Sequence, residues 1–119
     1  MREKIGLVYK GKKITIHDVE KVSKFKEGIG LMFHHREKCP AMLFEFKKPN
    51  KMKIHSLFVF FPFVGVWMDN ENKIIEIKFV RPWKLSVSPK KNFYKLLEIP
   101  VNKKYRREIM LLVESQKDL

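Results

Sequence analysis

His34-His35-Arg36, followed by Cys39 and later by His55, is the nearest approach to a reactive set in this sequence. A zinc site needs three or four ligands converging at about 2 Å. Adjacent histidines on an extended strand point to opposite faces, so at most one of His34 and His35 would join such a site. No CxxC or HxH pair accompanies them, and no metal site is expected. Cys39 beside a histidine would make a thiolate pair. The sharp turn and orienting carboxylate that such a nucleophile needs are missing, and Cys39 reads better as a structural thiol. The five glycines, Gly6, Gly11, Gly28, Gly30 and Gly65, are dispersed, and Gly28-Ile29-Gly30 lacks the strand-before, helix-after setting of a dinucleotide loop. No cofactor is expected. Asp69 and Glu71 share one turn, while Glu76, Glu98 and Glu114 fall on faces that read as exposed, so no convergent carboxylate pair is legible.

The richest patch is Arg81-Pro82-Trp83-Lys84, followed by Lys90, Lys91, Tyr94 and Lys95. Cationic side chains neutralise phosphates, and the faces of Trp and Tyr stack on bases. The bland alternative puts Trp83 in the core and the lysines in solvent. Formal net charge is +13, and residues 81–107 alone carry +8 against −1 for residues 54–80. Such a balance favours an anionic ligand or nucleic acid as partner. The excess of lysine over arginine fits equally a composition inherited from an AT-rich or thermophilic genome. No sheet-type RNA-recognition motif is present.

The elements that must position these residues are mostly strands. Ile5–Tyr9 and Lys13–Val19 alternate around Lys10-Gly11-Lys12, a hairpin signal. Glu20 to Ile29 has Val22, Phe25 and Ile29 at helical spacing, which predicts a short helix. Met42–Phe46 reads as a strand leaving through a turn at Lys47–Lys51. Ile54–Phe61 and Phe63–Met68 are apolar runs split by Pro62, the pattern of strands covered on both faces. Lys73–Val80, Trp83–Val87 and Phe93–Ile99 read as three further strands. Asn102 is placed to cap a final helix with Tyr105, Ile109, Leu112 and Val113 on one stripe; a strand at Glu108–Val113 is the alternative. The expected fold is mostly β: a single-domain β-barrel or sandwich of about seven short strands with one or two short helices, over residues 1–119.

The order of these segments resembles a known family. Gly30-Leu31-Met32-Phe33, a basic cluster, and then Ala41-Met42-Leu43-Phe44-Glu45-Phe46 is similar to the signature of the domain-of-unknown-function 192 family. Ile54 to Pro62 is similar to the archaeal branch of that family. Arg81-Pro82-Trp83-Lys84 and Leu97-Glu98-Ile99-Pro100 resemble its later landmarks, so the likeness runs over residues 5–100. Val64 stands where the family often has aspartate, and the Gly-Asp turn that often closes its last strand pair is missing. The resemblance implies a compact β-barrel-like domain and names neither substrate nor catalytic residue.

One cysteine excludes an intrachain disulfide. Residues 1–6 lack the apolar core of a signal peptide, and Ile54–Met68 is too short to span a bilayer and is interrupted by His55, Ser56, Pro62 and Gly65. A cytoplasmic location without a membrane span is expected. Phe58, Phe60, Phe61, Phe63 and Trp67 read as core, or as the lining of a pocket. Three functions stay open. The preferred one is a small binding or accessory β-domain with a basic face built from His34, His35, Arg36, His55, Arg81, Trp83 and Lys84. The second is an enzyme of unrecognised type using His34, His35 or His55 as acid or base. The third is a structural or oligomerisation domain, and no pattern in the sequence fixes the oligomeric state.

Overall fold

The computed structural model describes residues 2–22, 31, 34–56 and 59–117, with side chains through Glu114. The hairpin forms as the alternation predicts. β1 (Arg2–Tyr9) pairs antiparallel with β2 (Lys12–Lys21), Tyr9 opposite Lys12. The two-residue loop places Lys10 and Gly11 at φ 51° and 79°. Two successive left-handed residues make the turn whose twist matches the strands, and glycine supplies one of them without a side-chain clash.

The other strands are β3 (Ala41–Asn50), β4 (Phe63–Met68), β5 (Ile74–Val80) and β6 (Phe93–Pro100). All six form one sheet in the order β1-β2-β3-β6-β4-β5, antiparallel except where β2 runs parallel to β3. The sheet curls into a half-barrel. Its two edges meet at one end, where Val8 bridges Lys73 and the Val8 N–H donates to the Asn72 carbonyl at 2.9 Å.

Alternation along β4 and β6 explains why both faces are covered. Val64, Val66 and Met68 join Leu97, Ile99, Leu7 and Ile16 in one core. Phe63 and Trp67 join Leu96, Phe93, Phe44 and Met42 in the other. β4, buried at every position, has no face left for polar side chains. The first core is completed by α1 (Arg106–Lys117) and the turn before it, which lay Leu112 and Tyr105 on the sheet with Ile109 beside them. Asn102 caps the helical segment as expected: its side chain accepts from the Tyr105 N–H at 3.3 Å, across a short 3-10 turn at Lys103–Tyr105. Val113 departs from the predicted stripe and faces solvent.

The seven-strand expectation needs correction at two places. Ile54–Phe61 and Trp83–Val87 are not strands among the described residues, and they contribute only the single bridge Ile54–Val87. Glu20 and Lys21 belong to β2 instead of opening a helix, and residues 23–30 of that predicted helix lie outside the described residues. β3 continues through the predicted turn at 47–50.

Candidate functional site

The site is built around a serine. Ser56 interrupts the apolar run Ile54–Phe61 and is fully buried. Its Oγ donates to the Arg81 carbonyl at 2.6 Å and accepts from the Lys84 N–H at 2.6 Å. Its backbone N–H donates to the Lys84 carbonyl at 2.9 Å, and its carbonyl accepts from the Trp83 N–H at 2.8 Å. One small residue therefore closes the Arg81–Lys84 turn from both main chain and side chain. Serine suits this role because a hydroxyl donates and accepts at once.

The clamp holds Trp83 at φ 61°, the left-handed region that a bulky side chain rarely occupies. Backbone strain of this kind costs of order 1–3 kcal/mol and persists only where surrounding bonds over-determine it. The indole is not in the core. Trp83 is 49% exposed and meets Phe60, 62% exposed, edge to face with ring centroids 5.7 Å apart. Arg81, Lys84 and His55 are exposed; the first two flank the Trp83 turn along the chain and the third precedes Ser56. The bland expectation for Trp83 is thus overturned, and Phe60 leaves the predicted core with it.

His34, His35 and Arg36 lie elsewhere on the same end of the sheet. Arg36–Lys38 is a short 3-10 turn ahead of β3. The Arg36 Nε donates to the Val101 carbonyl at 2.7 Å, and Asn102 Nδ2 donates to the Arg36 carbonyl at 2.7 Å. The Val101 N–H in turn donates to the Pro62 carbonyl at 3.0 Å, next to Phe61 and Phe60. Hydrogen bonds therefore tie the histidine turn to the start of β4, while Ser56 ties His55 to the Trp83 turn. Arg36 is partly a structural strut, since its guanidinium holds the exit of β6.

Nucleophile chemistry at Cys39 is disfavoured by its surroundings. Cys39 is fully buried and donates to the Pro40 carbonyl at 3.5 Å. Burial first, and the nearby Glu98 second, push its thiol up to about 12. A thiol held protonated is a poor nucleophile. Glu98 itself corrects an expectation. It sits on central strand β6, 6% exposed, opposite Met42 on β3 and Gly65 on β4. Burial alone pushes its carboxyl up to about 8, and none of the described residues hydrogen-bonds or ion-pairs with it. Among the described residues, no group of three or more His, Cys, Asp or Glu side chains could hold a metal ion.

Ser56 is the functional residue that sequence reasoning missed. Its signal was a small polar residue, next to His55, inside a mostly apolar run.

The chain matches the model of one protein family, DUF192, described as "Uncharacterized ACR, COG1430", over residues 7–110. No curated protein matches the sequence. Among solved structures, a Sinorhizobium meliloti protein provisionally described as a transcription regulator superposes with a TM-score of 0.70 at 19% identity, covering 90% of this chain and 85% of that one. A protein of unknown function from Novosphingobium aromaticivorans gives 0.65 at 13% identity, covering 87% and 75%. At those identities the likeness is one of fold. No described helix is long and apolar enough to cross a membrane.

Proposed function

The chain belongs to the DUF192 family, a membership that carries a fold and no stated reaction, and we propose that it is a binding module whose Ser56-clamped rim takes single-stranded nucleic acid. The observation that carries this reading is Trp83. A bulky aromatic held in strained backbone and left half in solvent gains nothing for the core. Beside Phe60 it offers a stacking platform for bases, worth about 1–3 kcal/mol per stacked base. Arg81 and Lys84 bracket it where phosphates would run, with His55 alongside. Arg36 extends the cationic track along the same end of the sheet, with His34 and His35 beside it in sequence. On this reading the chain acts as one unit in the cytoplasm, and the likeness of Ile54 to Pro62 to the archaeal branch supports a place in that branch.

The enzyme alternative rests on His34, His35 or His55 as acid or base, and Cys39 adds no nucleophile to it, since burial pushes its thiol up to about 12. The test is fluorescence anisotropy with a labelled oligonucleotide of about 12 nucleotides, at several salt concentrations. If about four phosphates are neutralised, log K falls against log[salt] with a slope near −3. Trp83→Ala is expected to weaken binding about tenfold or more while leaving the slope unchanged. The reading is abandoned if neither single-stranded DNA nor RNA binds at low salt, or if Trp83→Ala binds as tightly as the parent.

A further inference from the structure

A second surface lies on the outer side of α1, and it has a different chemistry. The inner side of the helix is spent on Glu108, Ile109 and Leu112, continuing from Tyr105 in the turn before it. The outer side leaves Met110 at 55%, Leu111 at 43% and Val113 at 41% exposed. Met110 and Leu111 floor an open groove of about 360 Å³ whose N-terminal end is rimmed by Lys103, Arg106 and Arg107, with Glu114 at the other end.

The cations are misplaced for helix stability. The amide end of a helix carries partial positive charge, so Arg and Lys in its first turn are unfavourable by a few tenths of a kcal/mol each. Near that end, Glu108 is turned inward and paired with His17, and the Glu37 carboxylate accepts from the Lys103 N–H at 3.1 Å. Lys104 is engaged by Asp18 at 2.6 Å. Arg106 and Arg107 have no hydrogen-bond or ion-pair partner among the described residues, so their charge is directed outward. A cationic rim led by Arg106 and Arg107 around an apolar floor, on a stripe with i, i+3, i+4 and i+7 spacing, is complementary to an acidic amphipathic helix.

We propose that this groove is a docking site for an acidic amphipathic segment of a partner protein. The apolar floor favours a peptide over nucleic acid, whose phosphates and sugars would leave Met110 and Leu111 unmatched. The strip runs along one helix and the turn before it, a shape and length that match a second helix laid alongside. The site shares no residue with the Trp83 rim, so the two readings stand or fall separately.

The probe is a synthetic peptide of about 15 residues with leucines at i, i+4 and i+7 and glutamates on both flanks, titrated into the isotopically labelled chain and followed by NMR. A control peptide carries lysine in place of every glutamate. The expected result is saturable binding of the acidic peptide, with shifts confined to residues 103–114 and weakening as salt is raised. Met110→Asp and the double variant Arg106→Glu/Arg107→Glu should each weaken it at least about tenfold. All three positions are exposed, and an unchanged spectrum elsewhere reports that the fold is intact. Both variants should leave oligonucleotide binding within about twofold of the parent. The proposal is overturned if the acidic peptide causes no shifts at about 1 mM, far weaker than specific docking. Equal binding of the lysine peptide overturns it too, as does perturbation of α1 by anionic vesicles or an oligonucleotide instead of the peptide.

Discussion

Glu98 is a carboxyl group in the middle of a sheet with cores on both faces, and it is held neutral by its surroundings. Its pKa of about 8 lies above the ordinary 4.5, with burial as the cause. The folded chain therefore keeps this proton at pH values where the unfolded chain releases it. Its contribution is fully present below about pH 4.5 and is lost as pH rises through about 8. Each pH unit across that window is worth about 1.36 kcal/mol, which bounds the loss at about 5 kcal/mol. Urea unfolding of the wild type should show falling stability between pH 5 and 8, and Glu98→Gln should flatten that decline. A parallel decline in the variant would mean that the carboxyl is solvated in the folded state. The sequence hid this residue, because an isolated glutamate among Leu97, Ile99 and Pro100 looks like the polar half of an alternation. Only the central place of β6 in the sheet buries it.

At the scale of elements, the hairpin, β4, β5, β6 and α1 were legible, since each carries a local periodicity with its own punctuation. The misread pieces are Ile54–Phe61 and Trp83–Val87. The first is apolar because it covers the second core, with Val59 and Phe61 buried there, and not because it joins the sheet. The second alternates by accident, and its start is folded into a turn by Ser56, a partner 27 residues earlier than Trp83. The seating of α1 rests on Tyr105. Its hydroxyl donates to the Asp18 carbonyl at 2.6 Å and accepts from the Ala41 N–H at 2.8 Å, joining the helix to β2 and β3 at once. Tyr105→Phe leaves both backbone groups without that partner and should cost about 2–4 kcal/mol in chemical denaturation. Amide exchange should quicken at Ala41 and in α1 before the β4–β6 pairing is affected. A loss below about 0.5 kcal/mol would mean that the helix is held by packing alone.

For the molecule as a whole, a net charge of +13 on 119 residues makes self-repulsion a standing term. The ion pairs are mostly peripheral, such as Arg2–Asp18 at 3.0 Å and Lys21–Glu45 at 3.6 Å, and they offset little of it. Adding about 0.3 M salt, which shortens screening to within a few ångströms, is therefore expected to raise Tm in a thermal melt. A fall in Tm would show that the ion pairs outweigh the repulsion. Composition and periodicity determined the β class, the hairpin, the capped helix and the cationic excess, because each depends on neighbours within a few residues along the chain. Tertiary structure alone decided that Trp83 and Phe60 stand in solvent and that Glu98 does not. Those outcomes depend on which distant segments become neighbours: Ser56 reaching the Arg81–Lys84 turn, and β6 lying between β3 and β4.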